Sequence, residues 1–302
     1  MTSVQSFLDT LGPEIEDAEE ESFLLFSQSI PSQNLGFVDS KATELDFTIN
    51  GQDLTIYQSP TILSSNRDGG TTGAVVWKIT PLFAKWISSP QNALFKHHIF
   101  NQNSIVLELG CGISGLVALS LSPYIERYIL TDQPYVLKLL SQNLSTNASS
   151  NNSNTSTKVK ARKAKPANSS SPSCSSSSNI KALTLDWETD IPSTSLTQST
   201  STSSFDVIIA CDCIYNDALI PPFIQTCVDL CALRTNSTSS EDTSQGPTLC
   251  IVAQQLRAPD VFESWLKCFH DRFRVWRVEG KEIEDCGLGE DSGFVVHVGV
   301  LR

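Results

Sequence analysis

Three glycines spaced Gly110-x-Gly112-x-x-Gly115, a carboxylate at Glu108 and another at Asp132 form the densest group of chemically suggestive residues in the chain. Gly110 and Gly112 lack the Cβ atoms that would keep a ligand away from the backbone where the chain must turn sharply. Asp132 lies about twenty residues past the turn, where an acidic side chain closing a strand can accept hydrogen bonds from both ribose hydroxyls of a nucleotide. Further on, Asp212-Cys-Ile-Tyr215 follows a second apolar run, Phe205-Asp-Val-Ile-Ile-Ala-Cys. A carboxylate and an aromatic face together can orient a cation. The plainer alternative, in which Asp212 caps a following helix and Tyr215 packs, is weaker because both follow a buried strand at the edge where α/β sheets bind ligands.

These residues need a particular framework. Ile105, Val106, Leu107 and Leu109 suit a strand covered on both faces, and Leu116-Val-Ala-Leu-Ser-Leu suits a helix packed on a sheet. The pattern then predicts strands over 127–132, 181–187, 205–212, 249–254, 273–278 and 294–301. Helices are predicted over 136–144, 220–232 and 260–271. Upstream, a helix over 20–28, a strand over 53–58 and turn material over 66–73 precede a helical stripe of Val76, Ile79, Phe83 and Ile87. Strands alternating with helices indicate one α/β domain, placed at 51–302 behind an N-terminal extension at 1–50. Ser-, Asn- and Thr-rich inserts near 145–179, 193–204 and 235–246 hold too few apolar residues to order themselves and are expected to be disordered surface loops.

The 302 residues carry a net charge of −12, which disfavours broad binding to a phosphate backbone. Lys158, Lys160, Arg162, Lys163 and Lys165 cluster in the first insert. Of the 21 basic residues, that leaves 16 against 33 acidic ones, so the folded body stands at −17 and suits a basic protein partner. No stretch approaches the roughly 18 uninterrupted apolar residues of a membrane helix, and the N-terminus lacks signal-peptide character. A non-secreted, cytoplasmic chain with possible nuclear access is expected, as is a monomer. The nine cysteines include no C-x-x-C pair and read as free thiols in a reducing compartment. His97, His98, His270 and His297 show no ligand spacing, so no metal is expected.

The string Leu107-Glu-Leu-Gly-Cys-Gly112 resembles the first motif of class I S-adenosylmethionine (SAM) methyltransferases. Thr72-Gly-Ala-Val-Val-Trp77, Leu185-Asp-Trp187 and Asp212-Cys-Ile-Tyr215 resemble, in order, three further pieces of the seven-strand protein-lysine methyltransferases. The resemblance covers roughly residues 54–300 outside the inserts. It implies a Rossmann-like class I methyltransferase fold: a seven-stranded, mainly parallel sheet with a C-terminal antiparallel hairpin and helices on both faces. It implies SAM as cofactor, held by Trp77, Gly110, Cys111, Gly112, Asp132, Trp187 and Ala210, with Glu108 supporting the loop around the methionine moiety. It also implies Asp212 and Tyr215 as the residues that receive a lysine. With the opening Ser6-Phe-Leu-Asp-Thr-Leu-Gly-Pro13, the chain is most similar to fungal members that act on ribosomal protein L1 of the large subunit, although relatives acting on elongation factors and chaperones share the other motifs.

Two readings of other classes compete. The glycine spacing alone would also suit an NAD-linked oxidoreductase, but that leaves Glu108, Trp77, Trp187 and Asp212-x-x-Tyr215 unexplained. A non-catalytic interaction protein could keep the fold, although the intact glycine turn, Asp132 and Asp212-x-x-Tyr215 argue against decay. Cys213-Ile214 stands where nucleic-acid amino-methyltransferases carry two prolines, which with the acidic body counts against a DNA or RNA substrate.

Overall fold

Strongly apolar segments with no polar face define the centre of the molecule. The computed structural model describes residues 3–32, 35–66, 70–150, 179–237 and 246–302, without side chains at 149–150 and 235–237. The basic cluster and most of the third insert lie outside these residues. Two N-terminal helices, α1 (Ser3–Leu8) and α2 (Ala18–Phe26), precede a hairpin of β1 (Glu44–Ile49) and β2 (Gln52–Tyr57). Then follow α3 (Pro60–Leu63), α4 (Ile79–Ile87), α5 (Ala93–Lys96), β3 (Ile105–Leu109), α6 (Leu116–Leu121), β4 (Arg127–Asp132) and α7 (Pro134–Ser150). The chain continues through β5 (Ile180–Thr184), β6 (Val207–Cys211), α8 (Ile220–Ser237), β7 (Leu249–Gln255), α9 (Pro259–Arg272), β8 (Phe273–Arg277), α10 (Lys281–Glu284) and β9 (Phe294–Leu301).

Seven strands form one sheet in the order β5-β4-β3-β6-β7-β9-β8, parallel from β5 to β7 and antiparallel across β7–β9–β8. Every residue of β3, β6 and β7 is buried, as expected for parallel strands covered on both faces. Side chains alternate between two cores. Val106, Tyr128, Leu130, Val207 and Ile251 pack under α4, α6 and α7. Ile105, Leu107, Ile129, Ile208 and Val252 pack under α8 and α9. The reversal of chain order between β4–β3 and β6 opens a crevice at the carboxyl ends of the parallel strands, which is where ligands bind in open α/β sheets.

Three expectations change. The N-terminal 50 residues are part of the domain: Phe7 and Leu8 join one core, and Ala18 and Leu25 the other. The expected boundary at 50/51 falls in the turn between β1 and β2. Helix α7 continues past 144 to Ser150, because Asn143 and Asn147 on its buried side find partners in the hairpin. The 193–204 segment is an ordered loop. There the Thr197 hydroxyl, fully buried, donates to the carbonyls of Thr194 at 2.9 Å and Thr202 at 3.0 Å. Hydroxyl-rich composition misled here because such side chains can satisfy the loop's own backbone.

Candidate functional site

Four strand ends and the segment before α4 surround one cavity of about 450 Å³, within the range of small-molecule sites. The turn after β3 forms its floor. Gly110 has φ +62°, and a Cβ there would stand 2.7 Å from Cys213 Sγ and 3.2 Å from the Trp187 ring. Only glycine fits such a backbone so closely packed. Cys213 Sγ donates to the Leu109 carbonyl at 3.1 Å, which ties the end of β6 to this turn. Asn143, from α7, donates to the Ile113 carbonyl at 2.7 Å and fixes the turn's far side.

Two carboxyl groups face the cavity from adjacent strands. Asp132 accepts the Gly112 N–H with one oxygen and the Gln133 N–H with the other, both at 2.7 Å. Each oxygen keeps a further lone pair for a ligand hydroxyl. Burial, partly offset by these two bonds, raises its pKa from 3.8 to about 6. Glu108, on β3, points to the same face as Val106 and accepts the Tyr128 hydroxyl at 2.7 Å. Burial raises it further, to about 8, against the Tyr128 bond and with help from the Asp132 charge. At neutral pH Glu108 is therefore mostly protonated until a cation comes near it.

Trp77, Asp212 and Tyr215 line the same cavity. Asp212 follows β6 with φ +60°, a left-handed conformation uncommon outside glycine and found at functional turns. Its side chain is 1% exposed. Both oxygens are engaged: one accepts the Gln255 N–H at 3.2 Å, and the other pairs with the Arg257 guanidinium. Burial raises the Asp212 pKa, and Arg257 opposes the rise. The guanidinium also lies 4.7 Å from the centre of the Trp77 ring. Trp77 is held in turn: its indole N–H donates to the Thr72 carbonyl at 3.1 Å, and Phe37 packs on it with ring centres 4.6 Å apart. Gly36 allows this approach, since a Cβ there would collide with the Gln255 and Arg257 side chains. Tyr215 is 45% exposed at the rim.

The structure thus gathers Trp77, Glu108, Gly110, Cys111, Gly112, Asp132, Trp187, Asp212 and Tyr215 around one space. Ala210 differs. It is fully buried within β6, paired opposite Leu109 and packed among the residues under α8, and it does not line the cavity. An inward position two residues before the turn places it in the sheet's ladder. Asp212 also differs from the expectation, since it is ion-paired and not an open carboxylate. Arg257 is the residue that sequence reasoning missed. Its one signal is its place just past the carboxyl end of β7, and nothing in Gln255-Leu-Arg257 reveals a partner 45 residues away. Tyr135, whose hydroxyl accepts the Gly73 N–H at 3.2 Å, was missed as well.

The chain is similar to known proteins. A family model described as lysine methyltransferase matches residues 57–168 and 167–241. A Schizosaccharomyces pombe protein named diaminohydroxyphosphoribosylamino-pyrimidine deaminase is 27% identical over 281 residues, covering 93% of this chain and 58% of that protein. Ribosomal lysine N-methyltransferase 5 of Zygosaccharomyces rouxii is 33% identical over 219 residues, covering 68% of this chain and 66% of the relative. The protein of the same name from Lachancea thermotolerans is 26% identical over 339 residues, covering 96% and 98%. The chain therefore spans less than two thirds of the first two relatives and nearly all of the third.

Proposed function

The chain belongs to the lysine methyltransferase family, and from that premise we propose that it is a SAM-dependent protein-lysine N-methyltransferase acting on a ribosomal protein. One observation carries the reading. A single cavity is lined by the glycine turn, Asp132, Asp212 and Tyr215 together. The residues fit the cofactor: the Gly110–Gly112 backbone leaves room for its amino-acid end, Asp132 keeps lone pairs for ribose hydroxyls, and Trp187 offers a flat face for adenine. Glu108 lies where the methionyl ammonium would restore its charge. When bound, SAM supplies a methyl group on a sulfonium, which a neutral amine takes while the C–S electron pair stays on sulfur.

The protein's own contribution is positional. Alignment of the amine with that methyl supplies much of the acceleration, and the Trp77 and Tyr215 rings in the cavity lining offer apolar faces to a long aliphatic lysine stem. A lysine amine has a solution pKa near 10.4 and must lose its proton first. Burial favours that loss.

The name shared by the relatives, ribosomal lysine N-methyltransferase 5, supports a ribosomal target, and the similarity of Ser6–Pro13 to L1-directed members favours large-subunit protein L1. The deaminase name of the S. pombe relative finds no counterpart in this chain. Zinc deaminases of the H-x-E and P-C-x-x-C type need ligands that this sequence does not contain. Among the described residues no group of His, Cys, Asp and Glu could hold a metal. An NAD-linked oxidoreductase is set aside by the family.

The test is transfer of tritium from methyl-labelled SAM to purified large ribosomal subunits, followed by mass spectrometry. Methyl-lysine in one basic protein, identified as L1, is the expected product. Label on an elongation factor or chaperone alone would remove the ribosomal target and leave lysine transfer standing. Label on RNA alone, or on nothing, would sink the reading.

A further inference from the structure

The described wall of the cavity carries five carboxyl groups, Glu108, Asp132, Asp186, Glu188 and Asp212, and no Lys, Arg or His. The other titratable groups facing it are Tyr135, Tyr215 and the thiols of Cys111, Cys211 and Cys213. Such a wall attracts a lysine side chain, but it attracts the ammonium form, which has no lone pair to react. Asp212 lines the cavity together with Trp77 and Tyr215, and among the described residues Arg257 is the cation paired with it. Arg257 stands outside the cavity wall. It reaches Asp212 and the Gln255 amide oxygen, the latter at 3.1 Å, and lies over the Trp77 ring.

We propose that Arg257 is a positioning residue of the methyl transfer: it braces Trp77 and Asp212 from behind and cancels the Asp212 charge, so that the acceptor lysine stands beside a neutral pair and gives up its proton. The inference rests on the lysine methyltransferase reading above. Without the guanidinium, Asp212 and the lysine amine would hold one proton between them and keep it to higher pH. With it, Asp212 has no need of a second cation. The proton then leaves to solvent through the open cavity, and the nitrogen lone pair is free.

Three variants test this: Arg257→Gln, Arg257→Lys and the double variant Arg257→Gln/Asp212→Asn. The substrate is the ribosomal protein that the parent labels, with rates measured from pH 6.5 to 10. Arg257→Gln is expected to lower kcat roughly tenfold at pH 7.5 while KM holds or falls, and to move the rising limb of the kcat profile up by about one pH unit. Arg257→Lys should keep the parent limb, and the double variant should return it. A second readout needs no turnover: in the presence of S-adenosylhomocysteine, Arg257→Gln should bind the substrate several-fold more tightly than the parent at pH 7.5. If Arg257→Gln does not fold, the Lys and double variants decide, and a limb displaced in the double variant overturns the proposal. An unmoved limb and unchanged affinity in folded Arg257→Gln overturn it too. A parent that labels no lysine removes both this inference and the reading beneath it.

Discussion

Glu108 would be unremarkable in a loop, but on β3, with its hydroxyl partner Tyr128 also buried, it holds a proton that an unfolded chain would release. Its rise from 4.5 to about 8 corresponds to roughly 5 kcal/mol. Because the folded pKa is raised, this contribution is full below about pH 4.5 and is lost as pH climbs toward 8. Glu108→Gln resembles the protonated acid at every pH. It is expected to match the parent's melting temperature at pH 5 and exceed it by at least about 5 °C at pH 8.5. Its SAM affinity, measured by calorimetry at pH 8.5, should fall tenfold or more, since the amide cannot offer charge to the methionyl ammonium. A variant neither stabilised at high pH nor weakened toward SAM would remove Glu108 from the site. Glu108, the glycines and Asp132 were legible because their roles are local to one strand–turn–strand unit. Arg257 was not, because its role exists only where β6 and β7 lie side by side.

The seven sheet strands declare themselves through apolar runs, and their ends fall within a few residues of expectation. The β1 strand was missed although Glu44-Leu-Asp-Phe-Thr-Ile49 alternates: Leu45 and Phe47 are half-buried and Ile49 is buried, all on the face that meets the first core. What holds the hairpin is a device no periodicity shows. Asn143 on α7 accepts the Tyr57 N–H and donates to the Tyr57 carbonyl, both at 2.8 Å. One turn on, Asn147 does the same with Thr55, at 3.0 and 2.9 Å. Two asparagines thus cover the β2 edge, which would otherwise leave backbone groups unpaired. Asn143→Ala strands the Tyr57 N–H and two carbonyls, those of Tyr57 and Ile113, and should cost about 3 kcal/mol or more, read as a lower midpoint in urea. Because Ile113 belongs to the glycine turn, the same variant should also weaken SAM binding. Asn147→Ala should destabilise comparably and leave SAM affinity near that of the parent, and equal losses of affinity in both would show that the hairpin and turn are not separately held.

On the scale of the whole molecule, the N-terminal helices serve both cores, α1 through Phe7 and Leu8 and α2 through Ala18 and Leu25. Asp17 caps α2 by accepting the Glu19 and Glu20 N–H groups, and the helix packs on α9 with Phe26 against Phe262 at 5.5 Å. Glu21 is the fastener. It accepts Arg277 Nη1 at 3.1 Å and pairs with the fully buried His297 at 3.2 Å. Burial pushes the Glu21 carboxyl up, but His297 and Arg277 together outweigh it and hold the pKa below 4.5. A depressed carboxylate contributes stability that is present above the unfolded pKa and is lost as pH falls through the folded one. The N-terminal helix should therefore release first on acidification below about pH 4.5. Glu21→Ala leaves the buried His297 Nε2 without its hydrogen-bond partner and Arg277 with Glu279 alone, and should cost about 2 kcal/mol at pH 7. Removing residues 1–28 should do more. It uncovers the α9 surface that carries Phe262 and empties the place of Leu25, so the shortened chain should aggregate in light scattering and be cleaved quickly by protease. Replacing residues 151–178 with a short Gly/Ser linker makes the opposite comparison. Loop length alone changes stability little, so melting temperature and SAM affinity should stay at parent values. If the truncated chain melted like the parent while the linker variant did not, the order of dependence argued here, with the acidic N-terminus structural and the basic tract dispensable for the fold, would be reversed.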